Sequence, residues 1–389
     1  MMKKMLFLMT GLAALCATAE LDKEILLNEG KLIEVLQRAE TSDNDKVTAC
    51  QNLGWCGTRT AIGPLTVLIA GEKPVLRHAA RYGLEMIPDP AVEKAFCEAA
   101  ERLNGPALVG VLQSMGNLKP EQTRRSLWAA LMGGSGHACS VALLSERMSD
   151  RDKSVAGAAV QSLGKIATPE AMAALKAGLG KCPYVAVAYL NGAGKVACSD
   201  QAKASAYYAD IRTTKENVFP DTRLAALRGE IVAAGGQGVQ LWNDAIASAD
   251  ADTVNVALRA VLDFPACNKA TAAFAVALAK VPAVQARLAT VLGQRGDKAA
   301  VPALVALAKG ENAAHPQSSL AAASALAALN DPAAIPPLLV LAKHQDPVIA
   351  DAAKDEIMGF AGKAADDAVL AMMADADTET RLAGIDMAM

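Results

Sequence analysis

The chain has 389 residues, 52% of them hydrophobic, 20% charged and 4% aromatic, with a formal charge of −3. So much apolar content excludes a disordered chain, which buries too little apolar surface to offset its ordering entropy. The near-neutral balance and the thin aromatic supply leave no electrostatic or stacking footprint for nucleic acid or an anionic membrane.

Residues 1–19 read as an export signal. Lys3 and Lys4 form a basic n-region, Met5 to Leu15 an apolar h-region, and Ala17-Thr18-Ala19 a small-x-small cleavage site. An uncleaved anchor is disfavoured, because the apolar stretch is shorter than the roughly 20 residues a spanning helix needs. A lipoprotein centred on Cys16 is disfavoured too, since Leu15 stands where a lipobox has a small residue. Cleavage after Ala19 takes the formal charge from −3 to −5. The mature chain is then expected to be periplasmic or extracellular, with no membrane insertion of its own. Residues 20–42, where charges stand beside Leu and Ile, read as a capping helix for an array that fills 43–389.

Two patterns alternate along that array. The first is a polar turn, a branched residue, small residues and a closing Leu-Gly, as in Asp152-Lys-Ser-Val155-Ala-Gly-Ala-Ala159-Val-Gln-Ser-Leu163-Gly164. The second is a Pro near the first helical turn followed by Leu at helical spacing. Asp297-Lys-Ala-Ala-Val-Pro-Ala-Leu-Val-Ala-Leu-Ala-Lys309 repeats almost residue for residue as Asp331-Pro-Ala-Ala-Ile-Pro-Pro-Leu-Leu-Val-Leu-Ala-Lys343, and Thr60 to Leu68 is an earlier echo. Each pattern spells one helix with one apolar stripe, and the small residues admit a neighbour closely. First-helix starts are expected near Asp45, Lys73, Asp152, Pro183, Asp221, Asp252, Pro282, Ser318, Asp346 and Asp377. Residues 105–149 are less regular and are expected to hold one or two further pairs. Residues 199–221 read as a longer helix carrying Tyr207-Tyr208, then a polar loop ending in Phe219-Pro220. Asp377 to Met389 reads as the first helix of a pair that lacks its second. Strand and hairpin signals are nearly absent.

These patterns resemble HEAT repeats, in the short bacterial form called PBS-lyase HEAT-like. The resemblance implies an all-α fold, a right-handed α-α superhelix of about ten helix pairs, since one pair cannot bury its apolar face alone. It implies little about chemistry.

Candidate chemistry is sparse. Seven cysteines remain after Ala19: Cys50, Cys56, Cys97, Cys139, Cys182, Cys198 and Cys267. Export permits disulfides. Within a helix, Cys50 and Cys56 would lie about 9 Å apart and Cys182 and Cys198 on the order of 24 Å, both beyond bridging. A bridge across repeats stays open, and most cysteines read as small core residues. No C-x-x-C, His-Glu pair or H-E-x-x-H occurs, and His78, His137, His315 and His344 stand too far apart in sequence for a metal set. Neither a cofactor nor a catalytic residue is expected. The Gly-rich runs at 133–136, 178–180 and 235–238 read as turns. One polar stripe stands out: Arg77, Arg81 and Glu85 at i, i+4 and i+8, with His78 and Tyr82 beside them, a candidate binding surface. Trp55, Trp128 and Trp242 read as core or inter-repeat anchors.

The functional expectation is a non-enzymatic scaffold that binds a protein or peptide along its repeats. The alternatives are the HEAT portion of a larger exported enzyme complex, polysaccharide-acting or cytochrome-linked, and a bilin-lyase-like enzyme, which export disfavours.

Overall fold

The computed structural model describes residues 28–119, 138–265, 268–311, 313–360, 363–374 and 377–388. The expected signal, Trp128, His137 and Cys267 lie outside these. Every regular element among the described residues is a helix, and no strand occurs there. The chain divides into two compact units, residues 1–196 with 214–219, and residues 197–213 with 220–389.

The first unit holds α1 (28–37), α2 (Asp43–Cys56), α3 (Arg59–Ile69), α4 (Pro74–Met86), α5 (Ala91–Arg102), α6 (Gly105–Met115), α7 (Ala138–Arg147), α8 (Lys153–Ile166), α9 (Pro169–Gly178) and α10 (Pro183–Ala197). Helices α2, α4, α6 and α8 pack in order as one row, and α3, α5, α7 and α9 as a second. The irregular stretch 105–149 contributes α6 and α7 among the described residues.

The second unit holds α11 (Gln201–Thr213), α12 (Pro220–Ala233), α13 (Gly236–Ile246), α14 (Ala251–Asp263), α15 (Asn268–Lys280), α16 (Gln285–Arg295), α17 (Val301–Ala308), α18 (Pro316–Ala328), α19 (Ile335–Leu341), α20 (Pro347–Gly359), α21 (Lys363–Met373) and α22 (Thr378–Ala388). Helices α12, α14, α16, α18 and α20 form one row, and α13, α15, α17, α19 and α21 the other. First-row helices begin within about three residues of their expected starts.

The turn residues explain those starts. Ser42, Asp152, Asp250 and Asp346 each accept a hydrogen bond from a first-turn amide of α2, α8, α14 and α20, satisfying donors that have no partner inside the helix. The sequence repeat becomes a structural one: Asp297 caps Ala299 N–H at 2.9 Å and Asp331 caps Ala333 N–H at 3.0 Å, each opening a 3-10 turn that runs into α17 or α19. Small residues set the spacing. A Cβ on Gly83 of α4 would come within 2.6 Å of the Cys50 carbonyl of α2, and one on Gly164 of α8 within 2.5 Å of the Ala188 carbonyl of α10.

Between the rows lies the core. In the second unit Trp242 is fully buried, its indole N–H bonded to the Ala257 carbonyl at 2.8 Å. Its ring lies 4.6 Å from that of Phe274, which lies 5.4 Å from Phe264. In the first unit Cys50 is buried in α2, and burial pushes its thiol up from 9.0 to about 11, against its own backbone hydrogen bond. The folded chain therefore holds this proton more tightly than the unfolded one. That contribution is whole below about pH 9 and is lost as pH rises toward 11. Urea midpoints are expected to fall across this window, and Cys50→Ala is expected to flatten the fall; an unchanged slope in the variant would show that other groups cause it.

The cysteines depart from the expectation that most are core residues. Cys97 is buried, yet it is bonded to Cys139 across the second row, with Cα atoms 6.6 Å apart. Cys56 and Cys182 are half-buried and Cys198 is exposed. Cys198 follows the last residue of α10, so its apolar neighbours flank a turn rather than a core position.

Candidate functional site

The candidate stripe lies on α4, and its five residues divide between two roles. Arg77 donates from Nη1 to the Gly71 carbonyl at 3.1 Å and the Glu72 carbonyl at 3.2 Å, the turn that follows α3. Arg81 reaches across to α6, where a Cβ on Gly110 would collide with its guanidinium. Burial lowers the Arg81 pKa, Glu85 opposes that shift, and Arg77 adds to it. Glu85 accepts from Asn117 Nδ2 at 3.1 Å, and Asn117 Oδ1 accepts from Lys165 Nζ at 2.8 Å. Arg81 and Glu85 thus join α4 to α6 and the residues that follow it, while Arg77 holds the turn that leads into α4.

His78 and Tyr82 face elsewhere. With Pro74, Val75 and Ala79 of α4 they line one wall of a groove of about 700 Å³. Val47, Gln51, Asn52 and Trp55 of α2 make the other wall. Each set recurs at three to five residues, so each lines one helix face. The Asp43–Lys73 ion pair, at 2.8 Å, joins the N-terminal ends of the two helices. Gly83 against Cys50 lets the helices approach deep between the rows, leaving the open side to larger side chains.

The exposure of this groove is unusual for its chemistry. Trp55 is 76% exposed, Val75 64% and Tyr82 43%. Trp55 is therefore not the core anchor expected of it, whereas Trp242 is. Among the described residues no carboxylate, ammonium or guanidinium lines the groove; its hydrogen-bonding groups are the Gln51 and Asn52 amides, the His78 imidazole, the Tyr82 hydroxyl and the Trp55 indole N–H. Arg81 Nη2 lies 3.3 Å from His78 Nδ1. With the guanidinium as donor, Nδ1 is the acceptor and the imidazole presents Nε2–H. Such a surface can stack, bury apolar side chains and exchange amide hydrogen bonds. The second row carries a different groove, of about 560 Å³ between α3 and α5, rimmed by Arg59, Lys94, Glu98 and Arg102.

Among the described residues no group of three His, Cys, Asp or Glu side chains is placed to hold a metal. No single described helix is long and apolar enough to cross a membrane.

Known proteins bear on the fold. The family described as HEAT repeats matches residues 270–354, which run from α15 into α20. The PBS lyase HEAT-like repeat matches residues 155–181, which cover α8 and α9. No curated protein matches the sequence. Among solved structures, an engineered protein is 17% identical with a TM-score of 0.27, over 93% of this chain and 98% of that one. Human deoxyhypusine hydroxylase in complex with glycerol is 16% identical with a TM-score of 0.29, over 85% of this chain and 96% of that one. Importin beta is 12% identical with a TM-score of 0.49, over 92% of this chain and 55% of importin beta. Such distant likenesses say nothing about activity. With two rows of helices in each unit, the chain is an all-α fold that carries HEAT repeats over residues 155–181 and 270–354.

Proposed function

We propose that this protein is an exported, non-catalytic scaffold that docks an extended, uncharged stretch of a protein partner in the α2–α4 groove. The observation that carries this reading is the Trp55 indole, 76% exposed beside Tyr82 and Val75 in a groove that no described Asp, Glu, Lys or Arg side chain lines. Exposing that much aromatic and branched surface to water is unfavourable unless something covers it. Trp and Tyr are also the residues that dominate binding energy when a partner buries them. An extended peptide suits the groove because its apolar side chains would meet Val47, Val75 and Pro74. Its backbone would meet the Gln51 and Asn52 amides. Two observations support export: the signal-like residues 1–19, and the Cys97–Cys139 disulfide, a bond that persists in oxidising compartments.

The test places a photo-crosslinking residue at position 82 in the source cell envelope and identifies the captured protein. Its affinity for the wild-type chain and for Trp55→Ala is then measured. We expect the variant to bind at least ~30-fold more weakly, the loss of a hot-spot aromatic, with an unchanged unfolding midpoint. Equal affinity in the two proteins would remove the groove from the function, and substrate turnover by the isolated chain would overturn the scaffold reading.

A further inference from the structure

We propose that the Cys97–Cys139 disulfide is an oxidation-set latch that seats α7 in the second row of helices. The inference is independent of what the α2–α4 groove binds.

Helix α7 packs on α5, α8 and α9 but buries few side chains of its own. Of its described side chains only Ser140, Val141 and Leu144 are buried. Its neighbour α8 buries seven residues and α5 six. Helix α7 is also ten residues long, too short to persist on its own propensity.

Two contacts to α5 compensate, both in the first turns of α7. One is the disulfide from Cys139 to Cys97. The other is Glu93, 9% exposed and one helical turn before Cys97. Its Oε1 accepts from Ser140 N–H at 3.1 Å and from Ser140 Oγ–H at 3.0 Å. This carboxylate satisfies an amide at the α7 N-terminus, where negative charge is favoured. A buried carboxylate without that partner is costly, so the cap and the bond reinforce one another: the bond holds the Ser140 donors at Glu93.

The chemistry sets the order of events. On closure, Cys97 and Cys139 each give up a proton and together pass two electrons to a disulfide oxidant, which leaves as the dithiol. On opening by a dithiol, attack comes at Cys139, an exposed residue, because Cys97 is 4% exposed. The attacking thiolate bonds to Cys139 sulfur, and the electron pair leaves on Cys97 sulfur, inside the helix contact and one turn from the Glu93 carboxylate. That sulfur is buried in the helix contact, so a reductant reaches the bond only from the Cys139 side. The second thiol of the reductant then releases Cys139, and two protons complete the two thiols. The latch is therefore closed once and reopened slowly.

The test uses the chain from Glu20 to Met389, purified without reductant. Cysteine alkylation is read by mass spectrometry, and amide exchange is followed before and after dithiothreitol. Before reduction, Cys97 and Cys139 are expected to resist alkylation. After it, both are expected to react, and peptides from Ala138–Arg147 to exchange at least ten-fold faster, with peptides from α2–α4 and from α14–α18 unchanged. The Cys97→Ala, Cys139→Ala double variant should show the same local loss without reductant. Should that variant not fold, the reduced wild-type chain still decides the matter. Alkylation of either cysteine before reduction would overturn the proposal. So would unaltered exchange in α7 after reduction, or loss of protection throughout α2–α10.

Discussion

Trp242→Ala is expected to destabilise the second unit by about 3–5 kcal/mol, the usual cost of deleting a buried large aromatic. Two effects add. The indole fills the space between α13 and α14 and packs at 4.6 Å on Phe274 of α15, so its loss opens a cavity that three helices share. The Ala257 carbonyl, which accepts the indole N–H at 2.8 Å, is left without that bond in a buried place. Trp242→Phe isolates the second effect, because it keeps an aromatic ring and removes the donor; we expect it to cost about 1–3 kcal/mol. Trp55→Ala is the contrasting control. Its indole is 76% exposed, so its removal is expected to change stability by no more than about 0.5 kcal/mol while weakening partner binding. Urea unfolding of the three variants, followed by helical circular dichroism, measures all of this. A Trp55 variant as unstable as the Trp242 variant would mean that the exposed indole is structural.

The two tryptophans also show how far the sequence can be read. Helix positions were legible because each repeat announces itself locally. An Asp or Ser accepts first-turn amides, a Pro fits the first turn, and a Gly or Ala marks each close approach. Those signals act over a few residues, so a single chain displays them. Trp55 was misread for a geometric reason. In α2 the core face is set by Ala49, Cys50 and Leu53. Two residues past Leu53 is some 200° around the helix, on the side facing away from the core. A count of aromatics cannot register this, but the phase of the apolar positions can.

The charged stripe was legible only in part. Arg77, Arg81 and Glu85 do share one side of α4, as their spacing required. What meets that side is the 71–72 turn, Gly110 of α6 and Asn117, all brought there by stacking. No spacing rule within α4 contains those neighbours. The disulfide is intermediate: helical rise excluded the sequence-local pairs and left a bridge across repeats, and Cys97–Cys139 is one, at a separation of 42 residues. The pairing itself was hidden because the sequence of residues 105–149 does not follow the repeat pattern.

Arg295→Ala is expected to cost about 2–4 kcal/mol, and Arg295→Lys to recover less than half of that, because geometry as well as charge is at stake. Arg295 ends α16 and reaches the C-terminal end of α14, where carbonyls lack helical partners. Its Nη1 donates to the Val261 carbonyl and, at 2.9 Å, to the Phe264 carbonyl; its Nη2 donates to the Pro265 carbonyl at 2.8 Å. Its Nε donates to Thr271 Oγ1 at 2.8 Å, and the guanidinium lies 5.8 Å from the centre of the Phe274 ring. A planar fork can meet these groups together, whereas an ammonium on a flexible stem meets fewer of them. The loss should also be visible in acid. Thr271 donates to Asp297 at 2.5 Å, and this hydroxyl, the Ala299 amide and Arg295 hold the carboxyl below its ordinary range. A carboxylate depressed in the folded state adds stability above its unfolded pKa and loses it as pH falls through the folded one. Removing Arg295 takes away one of those three causes, so the stability lost between neutral pH and about pH 3 should shrink in the variant. Urea midpoints at the two pH values, for wild type, Arg295→Ala and Arg295→Lys, give both readings. A lysine variant as stable as wild type would show that charge alone suffices at this helix end.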